Sequence, residues 1–179
     1  MLCERTLNEP VFRAAVFLEE CMNIQEIQEL AHKFRQAADD AFEYGALGPD
    51  YPFNNFPHEC CDDMCDLFGQ LLFEKEVPIF KVQGIYRYDN WDHQYTHVWL
   101  TLEDGTIIDL TGDQYKDDPI MLNYNIACYI GEENSLYELF PKKERKSYPY
   151  YGIDNYGDEK TRKRLWKLYD IILAFCTND

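Results

Sequence analysis

Between residues 11 and 44 apolar side chains return every three or four positions: Phe12, Ala15 and Val16, then Ile24, Ile27, Leu30, Ala31, Phe34, Ala38 and Phe42. That period predicts amphipathic helices packed on a core. Pro10 suits a first helical position and Asn23 the cap of a second helix after a break. Gly45 and the following ALGPDYPFNNFP predict a stop and a loop. The helical period resumes from residue 60 to about 75, with Met64, Leu67, Phe68, Leu71 and Leu72 on one face, and predicts a central, buried helix. Four segments rich in β-branched and aromatic residues follow at 79–88, 95–102, 106–111 and 125–130, and predict an antiparallel sheet. After the basic, tyrosine-rich stretch PKKERKSYPYYGIDNYG, Asp158 is placed to cap a last helix whose Leu165, Leu168, Ile172 and Phe175 face inward.

Helices, a central helix, a sheet and a closing helix make an α+β architecture with segregated elements. At 179 residues one domain is expected over the whole chain, with N-terminal helices in 1–45, a core in 54–115 and a C-terminal helix in 158–176. The pattern implies no particular oligomeric state.

Charge narrows the partners. With 33 acidic against 17 basic residues the net charge is −16, a field that repels nucleic-acid backbones and anionic membrane surfaces. The opening MLCERTLNEP carries charges and a proline where a secretory signal needs an apolar run, and no stretch reaches a membrane span. The expected compartment is the cytoplasm. The KKERK run reads as a solvated face, and in so acidic a chain it could also dock an acidic partner.

The seven cysteines, at 3, 21, 60, 61, 65, 128 and 176, show no spacing of a disulfide framework. Reduced thiols are expected, with Cys21, Cys128 and Cys176 as inert packing residues. Cys60 and Cys61 differ because they open the central helix. A thiol there faces unpaired N–H groups and the positive end of the helix dipole. Cysteines so placed have pKa values of about 3.5–7.5 instead of ~8.5. Glu59, Asp62 and Asp63 oppose the effect, so a cationic histidine is needed beside the sulfur. Two bland readings compete: buried structural cysteines, or a zinc site drawn from His58, Cys60, Cys61, Cys65 and His93.

YTHVWLTLEDGTIIDLTGDQY predicts a hairpin. Along its first strand His97, Trp99 and Thr101 share one face, and Val98, Leu100 and Leu102 the other. A two-residue Asp104-Gly105 turn pairs Leu100 with Asp109 and puts the carboxylate on the wrong side. A three-residue loop, 103–105, pairs Trp99 with Asp109, diagonal to His97 on one face at ~7–8 Å. Such loops need a left-handed last residue, and Gly105 is there. Asp109 then fixes the His97 tautomer, in the logic of a nucleophile, base and orienter. Asp113 and Gln114 are the substitutes if the register slips, and His58 and His93 read as solvent-exposed loop residues.

In this order the residues resemble the transglutaminase-like branch of the papain-like cysteine enzymes. The motifs are CDDMCDLFGQLL from Cys61, EKEVPIFKVQGIY, HVWLTL from His97 and IIDLT with Asp109, over about residues 54 to 115. Placing the nucleophile at Cys61 puts Met64, Cys65, Leu67, Phe68, Leu71 and Leu72 on the family's apolar positions, whereas Cys60 shifts them by one. The chain departs from the pattern in its double cysteine and in Glu59, where glycine is common. The resemblance implies a papain-like core with the central helix packed on the sheet, a thioester acyl-enzyme, a protein or peptide substrate, and neither cofactor nor metal. The expected activity is that of a cysteine amidohydrolase, a peptidase or a protein glutamine deamidase, with a transglutaminase-type acyltransferase and a non-catalytic papain-like binding module as alternatives. The Cys61 N–H is the expected oxyanion donor, with Asn55 or Asn54 as a second. Trp99 is expected either to wall the cleft or to serve the core.

Overall fold

A computed structural model describes residues 22–89 and 93–176. Helix α1 (Ile24–Glu43) begins where Asn23 accepts the N–H groups of Gln25 and Glu26 while Glu26 returns a bond to the Asn23 N–H, a complete capping box. The helical segment expected before it lies outside the described residues, as do Cys3 and Cys21. Helix α2 (Cys61–Glu74) is buried along nearly its whole length. The sheet follows: β1 (Ile79–Tyr88), β2 (His93–Leu102), β3 (Ile107–Asp109), β4 (Tyr129–Gly131), a helical turn α3 (Ser135–Glu138), and β5 (Arg145–Pro149). Helix α4 (Glu159–Cys176) closes the chain, capped by Asp158 through the Thr161 N–H and hydroxyl.

The architecture is α+β, a five-stranded antiparallel sheet in the order β4-β3-β2-β1-β5 with helices at both ends of the described chain. Two differences from the sequence expectation stand out. The strand expected at 125–130 is reduced to Tyr129–Gly131, and the basic stretch supplies an edge strand, β5, that was not among the expected strands. Lys81 and Gln83 of β1 sit opposite Tyr148 and Lys146 of β5; of the KKERK run Lys146 is exposed on that edge, whereas Arg145 turns inward and donates to the Phe140 and Tyr137 carbonyls. Among the described residues no helix is long and apolar enough to cross a membrane.

Both faces of the sheet are covered. On one, Val98, Leu100 and Ile108 join α1, α2 and α4 in the larger core; on the other, Val82, Trp99 and Ile107 pack with Met121, Leu136, Tyr137 and Phe140. The sequence identified the first of these faces alone, because the residues covering the second come from irregular chain after β3. At Gly84, paired with His97, a Cβ would lie 2.8 Å from the Trp99 ring, so only glycine fits.

Arg35, on α1 and 6% exposed, ties the layers together. It donates to Asp39, to both oxygens of Asp113 at 2.8 Å, and to the carbonyls of Leu110 at 2.8 Å and Ala127 at 3.0 Å. These bonds pull the chain off the sheet directly after β3. Arg35→Ala leaves buried carboxylate and carbonyl groups unpaired, so a loss of about 3–5 kcal/mol is expected in urea unfolding, against no more than about 1 kcal/mol for Asp39→Ala, whose carboxylate is one-third exposed. Equal, small losses would show that the anchor is not the guanidinium.

Candidate active site

The start of α2 is built without a side-chain cap. Glu59 adopts φ 61°, in the left-handed region that favours glycine, and Cys60 occupies the cap position with no side-chain bond to the helix. The first-turn N–H groups are therefore left for a ligand. The two cysteines part here. Cys60 is fully buried, its sulfur donates to the His58 carbonyl at 3.3 Å, and burial followed by the Asp63 charge pushes its thiol far up. Cys61 opens onto a cleft. Cys65 is buried behind them, and its thiol too is pushed up by burial. Among the described residues no three His, Cys, Asp or Glu side chains are arranged to hold a metal ion.

The acidic first turn, which from the sequence opposes an ionised sulfur, is compensated. Lys81 pairs with Asp62 at 2.8 Å and with buried Asp66 at 2.5 Å, while Arg164 pairs with Asp63 at 2.6 Å and with Asp50. Glu59 accepts the Tyr51 hydroxyl. Neither Lys81 nor Arg164 could be assigned this task from the sequence, since they lie on β1 and α4.

The hairpin has the three-residue loop. Leu100 pairs with Ile108 and Thr101 with Ile107; the Leu102 N–H donates to the Thr106 carbonyl at 2.9 Å, and Gly105 has φ 89°. The diagonal geometry follows. His97 and Asp109, both essentially without solvent exposure, meet with Nε2 2.6 Å from Oδ2. The same Oδ2 accepts the Tyr137 hydroxyl at 3.0 Å, and Oδ1 accepts the Thr111 N–H at 2.8 Å and hydroxyl at 3.2 Å. Those four bonds fill the roughly four acceptor sites of a carboxylate. Burial alone would raise the Asp109 pKa, but the His97 charge and hydrogen bond, then Thr111 and Tyr137, hold it below 3.8. Burial would likewise lower that of His97. The charge and bond of Asp109, with a hydrogen bond and charge from Cys61, lift it from 6.5 to about 10.

Cys61 and His97 thus share an interaction although β2 directs the His97 ring away from the α2 face, where it packs against Trp99, Tyr115 and Phe140. With Nε2 committed to Asp109, Nδ1 faces Gln114. Gln114 donates one amide hydrogen to the Thr111 carbonyl at 3.0 Å and holds its nitrogen 3.2 Å from Nδ1. That contact is a hydrogen bond only to the neutral ring, so Gln114 must give way when Nδ1 carries a proton.

The cleft has a volume of about 690 Å³ and is lined by Asn55, Cys61, Gln94, Thr96, Gln114 and Tyr115, among others. Asp62, Gln83 and Val98 also border a second cavity of about 350 Å³, walled by Tyr148, Tyr150, Tyr151 and Tyr156 with Lys81 among its lining residues. Several expectations need correction. Trp99 does not wall the cleft: it is 1% exposed in the second core, with Tyr137 and Phe140 on it and the Arg145 guanidinium 5.5 Å from its ring. Asp113 is taken by Arg35 and cannot orient His97. His93 belongs to β2 rather than to a loop, and His58 lines the cleft. Tyr137 and Thr111 were missed; Thr111, two residues after Asp109, is a recognisable Asx-type partner, whereas nothing singles out Tyr137 among 14 tyrosines.

Comparisons of the chain with protein-family models, with curated proteins and with solved structures find no match. What the site does therefore rests on its geometry.

Two outcomes follow. Tyr137→Phe removes one bond to a buried carboxylate and is expected to lower stability by about 1.5–3 kcal/mol in urea unfolding; an unchanged midpoint would detach Tyr137 from the pair. For pH, His97 binds its proton more tightly folded than unfolded, so its contribution is complete below pH 6.5 and is lost as pH rises to about 10. Asp109, held below 3.8, contributes above that pH and loses its contribution on further acidification. The stability difference between the wild type and Asp109→Asn should therefore be greatest between pH 3.8 and 6.5 and shrink towards pH 10. A difference independent of pH would rule out the charged pair.

Proposed function

We propose that the chain is a cysteine-dependent amidohydrolase, a peptidase or a protein glutamine deamidase, with a papain-like, transglutaminase-like core. The observations that carry this reading are the buried His97–Asp109 pair and Cys61, whose charge reaches the His97 ring and which itself lines an open cleft. The order of a cysteine opening the buried helix, a histidine on the second strand and an aspartate on the third supports the fold assignment.

In the proposed reaction His97 is the imidazolium, with the Cys61 proton already on Nδ1, and the Cys61 sulfur attacks the amide carbonyl carbon. Asp109 keeps the other nitrogen in place and balances the imidazolium. The oxyanion forms at the uncapped start of α2, where the Cys61 N–H points, with the Asn55 amide on the cleft as the second donor. His97 returns its proton to the leaving nitrogen, which departs as amine or ammonia and leaves a thioester. Water, deprotonated by His97, attacks the thioester and releases the carboxylic acid and the thiol.

Iodoacetamide distinguishes the readings. At neutral pH Cys61 is expected to alkylate selectively, with Cys60 and Cys65 protected by burial. His97→Ala should slow Cys61 by about 10²–10⁴-fold, and Cys60→Ala should leave it unchanged. Uniformly sluggish thiols would instead indicate a binding module.

A further inference from the structure

The cleft is bounded by a feature that a small-molecule site does not need, an unpaired strand edge. β2 pairs with β1 from His93 to Leu102, but on its other side β3 pairs only with Leu100 and Thr101. Backbone groups of successive residues in a strand point to alternate sides. The Leu102 N–H donates towards β3, so the even-numbered residues Val98, Thr96 and Gln94 direct their N–H and C=O groups to that same side. Tyr115 approaches from there and donates to the Thr96 carbonyl at 3.3 Å, leaving that oxygen a second lone pair. The next rung, Val98 with Leu110, is not formed; the Leu110 carbonyl accepts instead from Arg35 at 2.8 Å.

The shape of the cleft agrees. Gln94, Tyr95, Thr96 and Val98 all line it. Since neighbouring side chains in a strand point to opposite faces, a cavity touching 94, 95 and 96 together runs along the backbone edge and not over one face. Cys61, Asn55 and Gln114 line the same space. The other long edge contrasts with it: β5 carries Lys146 and ends in Pro149, residues that discourage strand addition. The cleft-side edge from Gln94 to Thr96 carries neither lysine nor proline.

We propose that the substrate is an extended polypeptide segment that adds as a strand to the open edge of β2, bonding to the backbone of Gln94, Thr96 and Val98, and so brings its carbonyl to Cys61. From residue 94 to 98 the edge is about 13 Å long, which takes about five substrate residues. Recognition of this kind reads the backbone more than the sequence of the segment. The proposal rests on Cys61 being the nucleophile.

Pentapeptide vinyl sulfones of mixed sequence, which alkylate a reactive thiol, test it on the unaltered protein. Each backbone nitrogen of the probe is methylated in turn, and the rate of Cys61 labelling is measured by mass spectrometry. Methylation at alternate positions is expected to slow labelling at least tenfold and at intervening positions less than twofold. Thr96→Pro, which removes an outward N–H without touching the β1 ladder, should slow the unmethylated probe to the same level, with its fold checked by thermal unfolding. Absence of alternation, or labelling by a vinyl sulfone bearing a single residue as fast as by the pentapeptide, overturns the proposal. Iodoacetamide separates the two layers: Cys61 that reacts with iodoacetamide but shows no alternation retains its thiol chemistry and loses strand addition, whereas Cys61 that reacts with neither reagent removes the basis of both.

Discussion

A charged imidazole and a carboxylate without solvent exposure can persist in a protein only if every remaining polar site on them is satisfied, and the rest of this structure is organised around meeting that condition for His97 and Asp109. The register of the β2–β3 hairpin brings the groups together. Thr111 and Tyr137 fill the carboxylate, and three aromatic rings enclose the imidazole. Gly84 is required opposite because Trp99 needs the volume that a methyl group would take. The second hydrophobic core supplies the low-dielectric wall that strengthens the His97–Asp109 attraction.

A second buried charge gives the site its access. Arg35 holds Leu110, Asp113 and Ala127 against α1, which shortens β3 and diverts the following chain away from the sheet. Had β3 continued past Asp109, it would have covered the edge of β2 that lines the cleft. The same departure carries Gln114 and Tyr115 to the cleft. One guanidinium thus links helix α1 to the geometry of the candidate site through bonds to the Leu110 and Ala127 carbonyls and to Asp113, without touching Cys61, His97 or Asp109.

Charge is also managed at the start of α2. In a chain of net charge −16 three carboxylates beside Cys61 would make an ionised sulfur costly. Lys81 and Arg164, held on different elements, each bind one of the first-turn aspartates and a second carboxylate as well. Both cations are partly buried, Lys81 more than Arg164, so their effect is less screened by salt than that of a fully exposed pair.

By itself the sequence determined whatever depends on local periodicity and turn chemistry. It supplied α1 with its Asn23 cap, α2 opening at Cys61, the hairpin with Gly105 last in a three-residue loop, and hence His97 and Asp109 on one face. These are decided within a few residues by helix period, strand alternation and the left-handed preference of glycine. Tertiary structure decided what depends on side chains far apart in sequence. It chose Cys61 over Cys60 by burying one and opening the other to the cleft, placed Trp99 in a core instead of the cleft, gave Asp113 to Arg35, brought Tyr137 to Asp109 and made an edge strand of the basic stretch. No local rule anticipates these, because burial and ion pairing are properties of the packed whole: each depends on which distant residues exclude water from the same place.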